Sequence, residues 1–322
     1  MTAVEDLTRR LLAGETRALA RAISMIEDRR PEARAIIEAV FPRSGKAPII
    51  GITGPPGAGK STLVDGLAAS LRGAGRRVGI VAVDPSSAFS GGAVLGDRVR
   101  MQRHSTDEGV FIRSMATRGQ FGGLSRATVD AADLMDAAGF DTVILETVGV
   151  GQDEVDVVRV ADVVVLVLVP GLGDDIQTIK AGIMEIPDIF VLNKADREGI
   201  DRLHADVKTM LGLIDAETRG GPPPAILRTV AARGEGIAEL HAAIDQFLAQ
   251  AAPGTVTDRR NERSRERILN LLRERILEWA GGPASGGAFD DLVAQVSGRS
   301  LDPHTAADRL LATFAPPTGS AR

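Results

Sequence analysis

The sequence predicts an α/β protein: a mainly parallel central sheet flanked by helices, with a helical extension before it and a helical region after it. Three observations carry that expectation. From Pro48 onward, short apolar strands alternate with amphipathic helices. Those strands are apolar on both faces, as strands covered by helices on each side must be. The stretches flanking this core have helical periodicity instead. The 322 residues suffice for one large α/β domain with extensions, or for two domains. The expected divisions are a helical extension over 1–42, the α/β domain over 43–250 and a helical region over 251–322.

In chain order, Thr2–Glu5 fits a capping box, with Leu7, Leu11 and Leu12 following at helix spacing. Ile23 and Ile26 continue an apolar face, and Pro31 opens another helix through Ile36, Ile37 and Val40. Strands are expected at Ile49–Thr53, Val78–Asp84, Thr142–Glu146, Val163–Val169, Ile189–Asn193 and Ala225–Val230. Helices are expected to begin near Lys60, Ser125, Asp174, Asp201 and Gly236. Ala249–Arg260 reads as a linker. Beyond it Ile268, Leu272, Ile276 and Trp279 form one apolar stripe on a charged helix, either a packed appendage or a dimerisation arm. A last small helical piece starts at Asp302-Pro303.

Composition excludes several classes of function. Hydrophobic residues are 44%, charged residues 25% and aromatics 3% of the chain, so Leu, Ile, Val and Ala must fill the core. A net charge of -5 leaves no basic excess for general nucleic-acid binding. With no cysteine, disulfides, thiolate metal sites and cysteine catalysis are excluded. His104, His204, His241 and His304 are scattered, which argues against a transition-metal site. The N-terminus lacks a secretory pattern, and Val163–Val169 is too short to span a bilayer. A cytoplasmic protein without nucleic-acid or membrane partners is expected.

The chemistry-bearing motifs fall where strands end, which is where ligands of parallel α/β sheets sit. Gly54-Pro55-Pro56-Gly57-Ala58-Gly59-Lys60-Ser61 fits G-x-x-x-x-G-K-[ST], with an apolar strand before it and a helix after it. Glycines let backbone N–H groups curl around phosphates, Lys60 reaches the β and γ oxygens, and Ser61 holds Mg²⁺. Thr62 follows in the first helical turn. The fold is thereby specified as that of a P-loop NTPase. Asn193-Lys194-Ala195-Asp196 matches N-K-x-D at another strand end. A carboxylate at Asp196 accepts from guanine N1–H and N2–H₂, which adenine does not offer in that arrangement. Asn193 would brace neighbouring loops and the Lys194 stem would cover the base. The loop Val230-Ala231-Ala232 is placed to offer backbone N–H groups to guanine O6.

Asp84 and Glu146 end strands facing the phosphate loop and suit Mg²⁺ or its waters. Gly149 stands where a γ-phosphate-sensing loop needs an approachable N–H, and Gln152 is a candidate for orienting the attacking water. Asp97, in the Gly-rich connection Ser86–Met101, is a further metal candidate. Asp174, Gln177 and Lys180, in the Gly-rich turn after the most buried strand, suit either a relay to a partner or a solvated helix start.

"GPPGAGKST", "VAVDPSSAFSGGAVLGDRVRM", "ETVGVGQ" and "NKAD", in this order and spacing, resemble the MeaB/ArgK family of P-loop GTPases. The resemblance spans nearly the full chain. It implies GTP/GDP and Mg²⁺ as cofactors, with Ser61, Asp84, Asp97 and Glu146 gathered around the metal. It implies a homodimer held through the C-terminal helical arm, and a switch at Asp174–Lys180. The expected client is an adenosylcobalamin-dependent acyl-CoA mutase, methylmalonyl-CoA mutase above all, whose cofactor loading and repair the GTPase gates. In related GTPases the last guanine loop is often Ser-Ala-x. Here it is Val230-Ala231-Ala232, which preserves backbone donation only. Competing readings are a metallochaperone GTPase, which the lack of cysteine disfavours, a transport-associated kinase-like ATPase, which Asp196 disfavours, and a nucleotide-gated scaffold.

Overall fold

The computed structural model describes residues 2–84, 104, 106–116, 126–147, 157, 160–171, 187–213, 223–250, 255–282 and 287–313. The chain divides into two compact units, Met1–Arg260 and Asn261–Arg322.

The first unit opens with α1 (Ala3–Leu12), α2 (Thr16–Glu27) and α3 (Ala33–Val40). The capping box forms as expected: Glu5 N donates to Thr2 Oγ1 at 3.2 Å and Thr2 N to Glu5 Oε2 at 2.7 Å. The third helix starts two residues after Pro31. Leu7, Leu11, Leu19, Ile23 and Ile36 are buried in one apolar cluster with Met135 of α5 (Arg126–Ala137) and Val81 of β2 (Val78–Asp84). These helices thus cover one face of the sheet.

The sheet has the strand order β3-β2-β4-β1-β5-β6-β7. Its members besides β2 are β1 (Ile49–Thr53), β3 (Val110–Ala116), β4 (Thr142–Thr147), β5 (Val163–Leu168), β6 (Ile189–Leu192) and β7 (Ala225–Arg228). Every pairing is parallel. The strands β1, β4, β5 and β6 are buried along their whole length. The opposite face is closed by α4 (Lys60–Gly73) and α7 (Ile237–Gln250), whose Leu63, Leu67, Leu240 and Ile244 pack on Ile52, Val165 and Val191. At the β6 end, Phe190 and Leu192 pack with Leu203 and Val207 of α6 (Ile200–Leu213).

Two expectations are corrected. The strand β3 is absent from the expected set, because Arg113 and Ser114 break its apolar run. It sits at the sheet edge with β2 as its neighbour, where polar side chains are tolerated. Arg113 reaches back to Ser24 Oγ at 3.1 Å and to Glu27 on α2. The second correction concerns Ala249–Arg260. Helix α7 runs to Gln250 and α8 (Thr255–Ala280) begins five residues later, so much of the expected linker is helical.

The reason lies in two consecutive arginines. Arg259 makes a two-nitrogen pair with Asp188, both contacts at 2.8 Å. Arg260 pairs likewise with Asp162 at 3.0 and 3.1 Å. Those acids precede β6 and β5 and also accept backbone N–H groups, Asp162 from Ile49 at 2.9 Å and Asp188 from Val164 at 2.8 Å. The hydrogen bonds to Asp188 and Asp162 raise the pKa of Arg259 and Arg260 above the usual guanidinium value. The first turns of α8 are thereby bolted to the strand-start edge of the sheet.

The second unit contains the rest of α8, α9 (Ala288–Ser297) and α10 (Pro303–Ala312). Asp302 caps α10, accepting from His304 N and Thr305 N at 3.0 Å, with Pro303 at the first helical position as expected. The single expected piece is two helices. Ile268 (59% exposed), Leu272 (49%) and Leu277 (71%) of α8 stand open. Among the described residues, no helix is long and apolar enough to cross a membrane.

Replacing Asp162 with Ala removes the acceptor for both Arg260 and the Ile49 N–H, in a side chain that is 1% exposed. Breaking one side of a buried pair is costly, so Asp162→Ala is expected to lower the unfolding free energy by about 3 kcal/mol in urea titrations. Arg34→Ala, which removes an exposed pair with Glu38, should leave the midpoint unchanged.

Candidate functional site

At the carboxyl end of β1, the chain turns through Gly54–Gly59 before α4 begins at Lys60. Gly54 has φ +140°, and a Cβ there would lie 2.2 Å from Val167 O on β5. Gly59 has φ +90°, and its Cβ would lie 2.5 Å from Asn193 Nδ2. Glycine is thus required twice, once for passage beside β5 and once for passage beside the Asn193 amide. The resulting loop surrounds Lys60, which is buried and donates from Nζ to Gly54 O at 2.6 Å and Pro55 O at 3.0 Å. Ala58 is buried, while Pro56 and Gly57 are exposed at the loop's tip.

Ser61, one residue into the helix, donates from Oγ to Glu146 Oε1 at 2.6 Å. Glu146 is buried near the end of β4. The neighbouring β2 ends at Asp84, and the register pairs Ala82 with Glu146 and Val83 with Thr147. The two strands therefore end as neighbours, with Asp84 two residues beyond the position paired with Glu146. The Asp84 side chain lies outside the described residues, as do Asp97, Gly149, Gln152, Asp174, Gln177 and Lys180.

A second loop cluster stands one strand further along. Asn193 follows β6 and uses both ends of its amide: Nδ2 donates to Ala58 O at 2.8 Å, while Oδ1 accepts from Thr229 Oγ1 at 3.0 Å and Ala231 N at 3.1 Å. Lys194 has φ +57°, a conformation side-chain-bearing residues rarely adopt. It is sustained by Nζ donating to Gly57 O at 2.7 Å and by Ala195 N donating to Thr229 O at 3.0 Å. One open cavity is walled by Gly59 and Thr62, by Asn193, Lys194, Asp196 and Arg197, and by Val230, Ala231 and Ala232. The structure thus brings the phosphate loop, the N-K-x-D turn and the last loop to a common space.

Sequence reasoning missed Arg197, Thr229 and Arg233 at this site. Thr229 is buried behind Asn193, and Arg233 Nη1 lies 3.4 Å from Asp196 Oδ2. Nothing in a local motif marks Thr229 or Arg233, because each of these contacts is made across the gap between two loops, and Arg197 joins the site as part of the cavity wall.

The residues fit a nucleotide with a hard divalent cation. The loop is passable only with glycine where phosphates would lie, and the hydroxyl of Ser61 and carboxylate of Glu146 already meet, as two oxygen donors suited to Mg²⁺. Parallel sheet, glycine loop, Lys-Ser helix start and N-K-x-D turn together define a P-loop GTPase. Residues 19–282 match the family model described as methylmalonyl Co-A mutase-associated GTPase MeaB. The chain belongs to that family. A Pyrococcus horikoshii protein named as a GTPase is 49% identical over 316 residues, 97% of this chain and 98% of its own. The mitochondrial methylmalonic aciduria type A homolog of Mus musculus is 34% identical over 331 residues, 97% of this chain and 79% of its own. The crystal structure of a LAO/AO transport system kinase matches with a TM-score of 0.70 at 28% identity, over 97% of this chain and 98% of that one.

Gly54→Ala would place a methyl carbon against Val167 O. The variant is expected to keep its circular dichroism spectrum while its affinity for a fluorescent GDP analogue drops at least about tenfold, since the loop's backbone donors are displaced.

Proposed function

We propose that this chain is a GTP-hydrolysing chaperone that gates loading, protection and repair of adenosylcobalamin in methylmalonyl-CoA mutase or a related acyl-CoA mutase. The observation that carries the nucleotide half of this reading is Asn193. It ties the phosphate loop to the loop beside Asp196, so one ligand can span both. The family description and the mouse relative's name support the client.

In this reading Gly54–Thr62 cradle the phosphates and Asp196 accepts from guanine N1–H and N2–H₂. Leaving those donors unpaired would be costly, so guanine is favoured over adenine. Val230 N donates to Glu235 O at 3.1 Å and Ala231 N to Asn193. Donation to guanine O6 therefore falls to Ala232. Lys60 would leave the Gly54 and Pro55 carbonyls for the β and γ oxygens and stabilise charge as water attacks the γ-phosphate in line. Ser61 and Glu146, with Asp84 and Asp97, would hold Mg²⁺, which when bound neutralises charge on the transferred phosphoryl group. Gly149 would sense the γ-phosphate and Gln152 would orient the water. Asp174, Gln177 and Lys180 form the proposed switch read by the mutase. A transport-associated kinase-like ATPase would call for adenine preference, which a carboxylate at Asp196 does not favour.

We further propose a homodimer, in a cytoplasmic setting, through the apolar side chains that α8 exposes. Ile268, Leu269, Leu272 and Leu277 are between 46% and 71% exposed on that helix. Ile268, Leu269 and Leu272 share one side of the helix, and an exposed apolar face of this kind is stable in water when another surface covers it.

The chaperone reading is tested by pull-down with an adenosylcobalamin-dependent methylmalonyl-CoA mutase. The expected result is a complex whose yield differs between GTP and GDP, with faster GTP hydrolysis in the complex. No association in either state would overturn it. For the dimer, a chain ending at Arg263, which keeps the Arg259 and Arg260 anchors, is expected to scatter light as a monomer. The full-length Ile268→Glu, Leu272→Glu variant should do the same, and dimers from both would exclude this surface.

A further inference from the structure

Beside the base-recognition turn lies a charged relay that the N-K-x-D motif does not contain. Arg233 ends a short 3-10 turn, Ala231–Arg233, and Gly234 follows with φ +74°. The bridge between Val230 and Glu235 folds the chain back on itself within six residues. That doubling sets the Arg233 guanidinium between two carboxylates. Its Nε donates to Glu235 Oε1 at 2.7 Å and its Nη2 to Glu235 Oε2 at 3.4 Å. The remaining arm, Nη1, lies 3.4 Å from Asp196 Oδ2, on a loop 37 residues away.

We propose that Arg233 is a specificity-determining residue of the guanine pocket: oriented by Glu235, it steadies the Asp196 carboxylate for two-point recognition of guanine N1–H and N2–H₂. The proposal rests on the reading of Asp196 as the base acceptor. Asp196 stands 41% exposed on its turn, where an unsupported carboxylate rotates freely and must be ordered when the base arrives. A carboxylate oxygen has two lone pairs, so Oδ2 can take Nη1 and a base N–H together. Arg is suited to the place because its planar fork is gripped at two nitrogens by Glu235 while a third points elsewhere. A lysine would keep the charge but lose that orientation. With Arg233 53% exposed, the pair adds little to folding. Its effect belongs to binding, by having the acceptor in place beforehand.

Guanine and hypoxanthine separate this role from general support of the loop. Inosine nucleotides lack the 2-amino group and use one point of recognition, so they gain less from a fixed carboxylate. Arg233→Ala is expected to weaken GDP about fivefold and IDP less than about twofold, narrowing the preference between them. Arg233→Lys should behave like Arg233→Ala, and Glu235→Gln should fall between. Because both ligands are measured on one preparation, partial unfolding cannot change their ratio. Equal weakening of GDP and IDP, or none, overturns the role of Arg233. Asp196→Asn is the control for the underlying reading, expected to lose GDP and gain XDP. If it keeps GDP affinity, base recognition by Asp196 fails; if it loses GDP while Arg233→Ala leaves the ratio unchanged, only the present proposal fails.

Discussion

The site depends on one buried amide. Asn193 donates to the phosphate loop at Ala58 O and accepts from Thr229 and Ala231 at the far side of the cavity. An amide is the side chain that carries both a donor and an acceptor at one branch point, and here each half serves a different loop. Gly59 can approach that amide because it has no Cβ. Lys194 holds its left-handed backbone next door, and its ammonium adds a second tie to Gly57 O. Without the amide, loops from three different strands would keep only the Lys194–Gly57 and Ala195–Thr229 hydrogen bonds between them. With it, the phosphate loop and the last loop share one buried partner.

Much of this arrangement was legible in the sequence where residues are buried on all sides or where chemistry requires a fixed spacing. Val163–Leu168 announces itself because a central parallel strand must be apolar on both faces. The phosphate loop and N-K-x-D turn are legible because backbone geometry and base chemistry permit few alternatives. Elsewhere the signal is not local. Arg113 disguises an edge strand, since its guanidinium serves a helix rather than the sheet. Asp162 and Asp188 look like ordinary strand-start acids until Arg260 and Arg259, 98 and 71 residues away, meet them. Arg233 is indistinguishable from any surface arginine before its turn doubles back.

The same contrast separates the two ends of the sheet. At the carboxyl ends, glycines and short polar side chains leave room and offer exchangeable partners. At the opposite ends, bidentate Arg–Asp pairs lock backbone N–H groups and the start of a long helix into place. A sheet whose central strands β1, β4, β5 and β6 are buried along their length joins the adaptable end to the fixed one.

The hydrogen bonds of Lys60 and Ser61 bear on how the pocket exchanges its contents. Lys60 is held by the loop's own carbonyls, and the Ser61 hydroxyl by Glu146. Arrival of a phosphate is then a substitution of one set of hydrogen bonds for another, and its net gain is the difference between them. Departure likewise returns the ammonium to carbonyls already placed beside it. Such a pocket is a reversible socket: its two conditions lie closer in free energy than a count of ligand contacts would suggest, as a part that must cycle requires.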